Sequence, residues 1–404
     1  MLFPLKVQYY KGLAKALKVA ATILPMPKPT LFTGADSSLE LCEAIGQLGI
    51  KKVLIVTDEV LVSIGLLKKI EKSLKTHGVE FVIYDGILPD PTYDQIENGL
   101  SILNNNQCDA VLAVGGGSPI DASKAIAARA TNNKSLKQLA GMFKLRSAPL
   151  PLFVIPTTAG TGSEVTIVSV VSDPVTHQKT PIMDPRLVPM MAALDGKLML
   201  GLPPAVTAAT GMDALTHAIE SYISVNATPD TEAYGLAATR LIMENLETAV
   251  KDGKNFEARQ NMSMASYYAG LAFTKASVGY VHAIAHNFGA LYSTPHGLAN
   301  SIVLPHVLEY SKDQVTDRLA ELAIAGGLKT GRESKQQLAN KLIVKIRTML
   351  KEFNIPEQLD DLKKSDIPHI AKLALEEAHI SMYYPVPKYM DQKTCESLLS
   401  KMAA

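Results

Sequence analysis

Three short apolar runs restrict this chain more than anything else in it: KKVLIVT (51–57), AVLAV (110–114) and PLFVIP (151–156), each continuously hydrophobic rather than alternating. A strand that is apolar on both sides must be covered on both faces, which is the environment of a parallel sheet with helices above and below. The segments between the runs agree. Residues 30–33 form a β-rich run ending at Gly34, 79–84 predict a further strand, and 38–48, 62–77 and 92–105 carry helical periodicity. Residues 166–172 and 179–183 predict a hairpin around Asp173-Pro174.

Past Leu202-Pro203-Pro204 the strand signal stops. Segments rich in Ala, Leu, Met and Lys continue, with breaks near Gly253, 293–295, Gly326-Gly327, Ile355-Pro356 and 384–387. The chain therefore predicts an α/β domain with a parallel sheet over 29–200 and an all-helical domain over 201–404. Before them stands an N-terminal extension, 1–28, in which Leu5, Leu13, Leu17, Ala20 and Ile23 fall at roughly helical spacing. A length of 404 residues exceeds one comfortable hydrophobic core and suits two domains.

Composition excludes several partners. The 40 basic and 39 acidic side chains cancel, so no net field recruits nucleic acid or an anionic membrane. No stretch reaches the roughly 20 apolar residues that span a bilayer. Lys6, Lys11, Lys15 and Lys18 interrupt the N-terminal apolar residues, which removes the core of a signal peptide. Cys42, Cys108 and Cys395 are odd in number and form no CxxC pair. Neither a disulfide framework nor a thiolate zinc site is indicated, and a reducing compartment, the cytoplasm, is expected.

Two clusters carry chemistry. The first is Gly115-Gly116-Gly117-Ser118-Pro119-Ile120-Asp121, where a strand hands over to a helix predicted at 122–128. Glycines let the backbone approach an anion, Ser118 suits a helix cap, Pro119 suits the first turn, and the free N–H groups favour a pyrophosphate. The spacing departs from the GxGxxG fingerprint, so the motif is not a standard Rossmann half. Asp58 falls just past a buried strand, where a carboxylate can accept from a ribose and repel a 2′-phosphate; the plainer role there is a helix N-cap. The loop 156–164 (PTTAGTGSE) also follows a strand and offers small hydroxyl side chains to the same crevice.

The second cluster pairs Asp213 with His217 and sets His282, His286 and His296 close in sequence. Residues i and i+4 share a helical face, so Asp213 with His217, and His282 with His286, can each converge on one ion. His282 can equally pair with His296 through a turn at 293–295, and spacing alone does not choose between them. Carboxylate and imidazole without thiolate suit Fe(II), Zn(II), Mn(II) or Co(II).

With GGGSPID (115–121), IPTTAGTGSEVT (155–166), ATGMDALTHAIESY (209–222) and VHAIAHNFGALYSTPHG (281–297), the chain resembles the iron-containing alcohol dehydrogenases, the family that includes lactaldehyde reductase and bacterial alcohol and butanol dehydrogenases. The likeness runs over nearly the whole chain from about Thr30. It implies an α/β dinucleotide domain, a helical metal domain and a cleft between them, with NAD and one divalent metal, Fe(II) before Zn(II), as cofactors. Asp213, His217, His282 and His296 would bind the metal, leaving His286 beside the substrate as a proton relay. Gly116, Gly117, Ser118 and Asp121 would meet the cofactor, with Asp58 favouring NAD over NADP and Thr157, Thr158, Lys179 and Leu198 as further contacts. Asp90 stands where relatives often carry Asn. The resemblance also implies a small alcohol or aldehyde substrate and a homodimer or larger homo-oligomer.

Rival activities on the same scaffold are a glycerol or diol dehydrogenase, a hydroxyacid–oxoacid transhydrogenase and a dehydroquinate synthase-like lyase. The lyase takes a polyanion, yet 204–222 and 281–300 contain no Lys or Arg. From another class, a non-catalytic metal and nucleotide sensor would carry the same donors.

Overall fold

A computed structural model gives the fold and describes residues 3–23, 26–174 and 179–404. Residues 175–178, within the span of the predicted hairpin, and residues 1, 2, 24 and 25 of the extension lie outside the described residues. The chain divides into two compact units. One comprises Met26–Leu202 and Gly253–Tyr267; the other comprises Met1–Pro25, Pro203–Asp252 and Tyr268–Ala404.

The first unit is built on nine strands: β1 (Thr30–Thr33), β2 (Lys52–Val56), β3 (Glu80–Tyr84), β4 (Ala110–Gly115), β5 (Gly141–Met142), β6 (Leu152–Pro156), β7 (Val168–Ser172), β8 (Lys179–Met183) and β9 (Met191–Leu194). Six of them make a sheet in the order β1-β9-β6-β4-β2-β3, parallel throughout. Alternate side chains of each strand leave on opposite faces. Val53, Ile55, Leu112 and Val114 pack with Leu41 and Ile45 of the helix Ser37–Gln47 and Ile70 and Leu74 of Lys68–Thr76. Leu54, Val56, Val111 and Ala113 pack on the other face with Ile96 and Leu103 of Tyr93–Asn105 and Ile120 and Ile126 of Gly117–Thr131. Burial on both sides explains why these strands read as unbroken apolar runs; each large side chain withdrawn from water contributes roughly 1.5–3 kcal/mol.

The order of the strands positions the site. β3 flanks β2 on one side and β4 on the other, and the helices that follow β2 and β4 cover opposite faces. The carboxyl ends of β2 and β4 therefore border a crevice at a topological switch point, where open α/β sheets bind ligands.

Three elements depart from expectation. The helix predicted at 62–77 is two, Glu59–Ser63 and Lys68–Thr76, parted at Gly65, whose φ of 72° is left-handed. β9 was not predicted: MAAL is short and alanine-rich, with little intrinsic strand preference, and its pairing with both β1 and β6 makes it a strand. The helix expected at 122–128 already begins at Gly117 with Gly116 as its N-cap, so Ser118 lies inside the helix rather than capping it. Beside the main sheet, β5, β8 and β7 form a small second sheet in which β7 and β8 are antiparallel.

The second unit is helical. Its site-bearing elements are Pro204–Ile223, Tyr280–Tyr292 and His296–Ala325, accompanied by Pro229–Lys251, Lys335–Glu352, Ile367–Glu376 and Gln392–Leu399. Pro204 opens the first of them, where a missing N–H costs nothing. A Cβ on Gly297 would fall 2.8 Å from the carbonyl carbon of Ala209 and closer still to its oxygen. Glycine at 297 thus lets the start of His296–Ala325 lie against the backbone of Pro204–Ile223. Among the described residues no helix is long and apolar enough to cross a membrane.

Candidate active site

In the helical unit, the periodicity of Pro204–Ile223 brings Asp213, His217 and Glu220 to one face, at i, i+4 and i+7. All three are buried, as is His282 in the first turn of Tyr280–Tyr292. Donor atoms of Asp213, His217 and His282 lie within 4.8 Å of one another. His282 Nε2 is 2.9 Å from His217 Nε2 and 4.0 Å from Asp213 Oδ1. His296, the first residue of its helix and partly exposed, sets Nε2 3.7 Å from the same Asp213 oxygen. Ligands about 2.1 Å from a tetrahedral ion stand roughly 3.4 Å apart, and these separations bracket that value. One carboxylate and two imidazoles that converge in the buried bundle, with His296 close to the same carboxylate, are a donor set that fits a divalent cation.

Neighbouring groups orient the donors. Glu220 Oε2 lies 2.6 Å from His282 Nδ1, and its Oε1 accepts from the Val281 N–H at 2.8 Å. Burial pushes the Glu220 carboxyl up to about 8, although backbone N–H groups of the helix start oppose that shift. Were a cation held at Nε2, Glu220 would be ionised and would accept from Nδ1–H, keeping the Nε2 lone pair toward the other donors. Asn300, one turn after His296, gives Nδ2–H to Asp213 Oδ1 at 2.7 Å. Phe273 stacks on His217 with ring centroids 4.2 Å apart. His286 Nδ1 lies 2.7 Å from Glu377 Oε1, and its ring stacks on His296 at 5.4 Å.

In the sheet unit Asp58, Gly116, Gly117, Ser118, Thr157, Thr158 and Leu198 follow the carboxyl ends of β2, β4, β6 and β9, whereas Asp121 and Lys179 do not. Asp58 follows β2 and caps Glu59–Ser63, with Oδ1 accepting from Leu61 N–H at 3.0 Å. Its Oδ2 takes no hydrogen bond among the described residues. Gly116, Gly117 and Ser118 follow β4, are half-buried, and open the helix whose N–H groups face outward from that strand end. A Cβ on Gly117 would come within 2.7 Å of Thr161 Cγ2, so glycine lets the loop after β6 close on this turn. That loop holds Thr157, whose N–H donates to Gly115 O at 2.9 Å, and Thr158. Leu198 follows β9 in the short helix Gly196–Met199.

Asp90, with φ of 56°, pairs with Lys179 Nζ at 2.8 Å. Asp121 turns instead to β7: its Oδ2 accepts from the Val170 N–H at 2.9 Å, and its backbone carbonyl accepts from Ser169 Oγ at 2.7 Å. Asp121 thus fastens the small sheet to the glycine-capped helix.

Sequence reasoning missed Glu220, Asn300, Phe273 and Glu377. Glu220 and Asn300 carried a usable signal, the helical spacing from Asp213 and His296. Glu377 lies 91 residues from His286, and nothing local announces it.

Comparison with known proteins agrees with this chemistry. The profile of the iron-containing alcohol dehydrogenases matches residues 28–196, and that of the family's C-terminal domain matches 207–403. The 1,3-propanediol dehydrogenase of Klebsiella pneumoniae is 42% identical over 352 residues, 86% of this chain and 91% of that protein. A crystal structure of 1,3-propanediol oxidoreductase superposes with a TM-score of 0.90 at 38% identity, covering 94% of this chain and all of the other (100%). Sulfoacetaldehyde reductase from Bifidobacterium kashiwanohense, solved in complex with NAD+, gives a TM-score of 0.85 at 28% identity over 94% of this chain and 98% of that one. The chain belongs to the iron-containing alcohol dehydrogenase family and is an oxidoreductase.

Proposed function

We propose that the chain interconverts small primary alcohols, short diols included, with their aldehydes, with NAD(H) as hydride carrier and one divalent ion, Fe(II) before Zn(II), as activator. The observation that carries this reading is the buried convergence of Asp213, His217 and His282, with Glu220 behind His282. His296 completes the donor set. Diols enter through the propanediol dehydrogenase likeness, and NAD through the NAD+ complex of the sulfoacetaldehyde reductase.

When bound, the ion supplies Lewis acidity, which lowers the pKa of a hydroxyl and polarises a carbonyl in the reverse direction. NAD supplies the hydride chemistry. The chain binds and orients. Gly116, Gly117 and Ser118 meet the pyrophosphate through backbone N–H groups at a helix start. Asp58 Oδ2 accepts from the ribose and repels a 2′-phosphate. Thr157, Thr158, Lys179 and Leu198 line the cofactor, Asp90 holds Lys179, and Asp121 secures the hairpin beside it. His286 takes up the proton released on oxidation. The enzyme acts in the cytoplasm, in keeping with its free, buried cysteines, and as a homodimer or larger homo-oligomer, in keeping with its family.

The test is a panel of primary alcohols, diols and aldehydes with NAD(H) and NADP(H), run on protein stripped of metal and reloaded with Fe(II) or Zn(II). Metal-dependent NADH production from a short alcohol or diol is expected. Full turnover without metal, or no turnover with any alcohol under either cofactor, overturns the reading.

A further inference from the structure

Two histidines of Tyr280–Tyr292 are each held by a carboxylate, and only one of them belongs to the proposed metal donors. His282 has Glu220. His286, one turn later, has Glu377, whose Oε1 lies 2.7 Å from His286 Nδ1. The same oxygen accepts from the Tyr384 hydroxyl at 2.8 Å. Tyr384 is buried, and burial together with the Glu377 charge pushes its phenol well above the ordinary value, so it stays a donor. Glu377 opens a π-helical turn, Glu377–Ser381, a widening that re-aims side chains and recurs at functional sites. A carboxylate only accepts, so its contact with Nδ1 places a proton on that nitrogen and leaves Nε2 with the lone pair. The ring is partly exposed, stacks on His296 and stands edge-on to His282 at 6.0 Å.

We infer that Glu377, anchored by Tyr384, is a positioning residue that holds His286 in its Nδ1–H tautomer and offers Nε2 to the proton leaving the substrate hydroxyl. The inference rests on the function proposed above and deepens it. In the oxidation direction the substrate O–H bond breaks and its proton goes to His286 Nε2. The carbon–hydrogen electron pair leaves as hydride to the nicotinamide, the carbonyl forms, and the imidazolium, facing the Glu377 carboxylate, returns its proton to solvent. The Tyr384 bond keeps the Glu377 oxygen from turning away to water.

The decisive measurement is the side-chain nitrogen NMR spectrum of metal-free protein labelled with ¹⁵N-histidine, with His286→Gln assigning the resonance. Wild type should show a protonated Nδ1 on His286; Glu377→Leu should move the proton to Nε2 or leave a mixture. In metal-loaded protein, Glu377→Leu should lower kcat for alcohol oxidation about 100-fold with KM within about threefold, the scale of a lost orienting partner of a general base. Tyr384→Phe should lower it about tenfold. Glu377→Gln should fall between wild type and Glu377→Leu, because it retains an acceptor oxygen, and metal content and the Kd for NAD should stay at the wild-type level in all three. An unchanged tautomer in Glu377→Leu overturns the inference whatever the kinetics, and so does full kcat with the tautomer lost. If Glu377→Leu does not fold, Tyr384→Phe and Glu377→Gln decide by the same two readouts. Wild-type protein that oxidises no alcohol with NAD defeats the proposed function, while the tautomer spectrum still decides whether Glu377 positions His286.

Discussion

Glu220 makes two bonds that matter to the ion and none that the metal-free bundle needs in charged form. Its Oε2 lies 2.6 Å from His282 Nδ1 and takes that N–H once ionised beside a cation, and its Oε1 takes the N–H of Val281 at 2.8 Å. Glu220→Gln keeps the shape and the second bond. At the first, the amide either sets N–H against N–H or drives His282 to the Nε2–H tautomer, which removes the lone pair aimed at His217 and Asp213. A donor left facing a donor in a buried site costs about 1–3 kcal/mol. That corresponds to roughly a tenfold to hundredfold loss of metal affinity, the range seen when orienting partners of ligating histidines are removed. The metal-free protein should melt within a few degrees of wild type, because volume and the Val281 bond survive. Chelator competition with Zn(II) or Co(II), alongside melting curves with and without the ion, measures both quantities. A Glu220→Gln protein that binds the ion as tightly as wild type refutes the reasoning.

Three further outcomes follow from particular contacts. Gly297→Ala forces a methyl against the Ala209 carbonyl, so the melting temperature should fall by the equivalent of about 1–3 kcal/mol and metal affinity with it; an unshifted melt in metal-free protein would show that the two helices can part freely. Asp58→Gly removes a carboxylate but costs the cap only a few tenths of a kcal/mol, roughly, so the NAD-to-NADP ratio of kcat/KM should fall while stability holds; an unchanged ratio removes the role given to Asp58. His379 is buried against Tyr280 with its Nε2 2.6 Å from the hydroxyl, and burial pushes its pKa down to about 4. The unfolded chain takes that proton near pH 6.5 and the folded chain does not. Stability from this group is therefore complete above pH 6.5 and declines toward pH 4, by at most roughly 3 kcal/mol. The denaturation midpoint of His379→Gln should lose less over that interval than wild type, and equal losses would discard the argument.

Much of this molecule is legible in its residues because buried parallel strands and glycine-rich strand ends leave dense local signals. KKVLIVT and AVLAV announce their burial directly, and helical spacing gathers Asp213 with His217. What stayed hidden is non-local. β9 is a strand only because β1 and β6 flank it, Asp121 bonds a strand 49 positions away, and Glu377 meets His286 across 91. Gly65 was legible in principle, since a glycine inside a helical pattern is a known break, but periodicity on either side of it outweighed the interruption.

The proposed metal donors are scattered along the polypeptide. Asp213 and His217 share one helix, His282 comes 65 positions after His217, and His296 follows on a third helix. A nascent chain offers an ion no more than a pair until the helix bearing His282 has been synthesised and docked, and His296 joins only with the third helix. Metal capture therefore has to follow the docking of distant helices, because only the folded bundle brings these donors together.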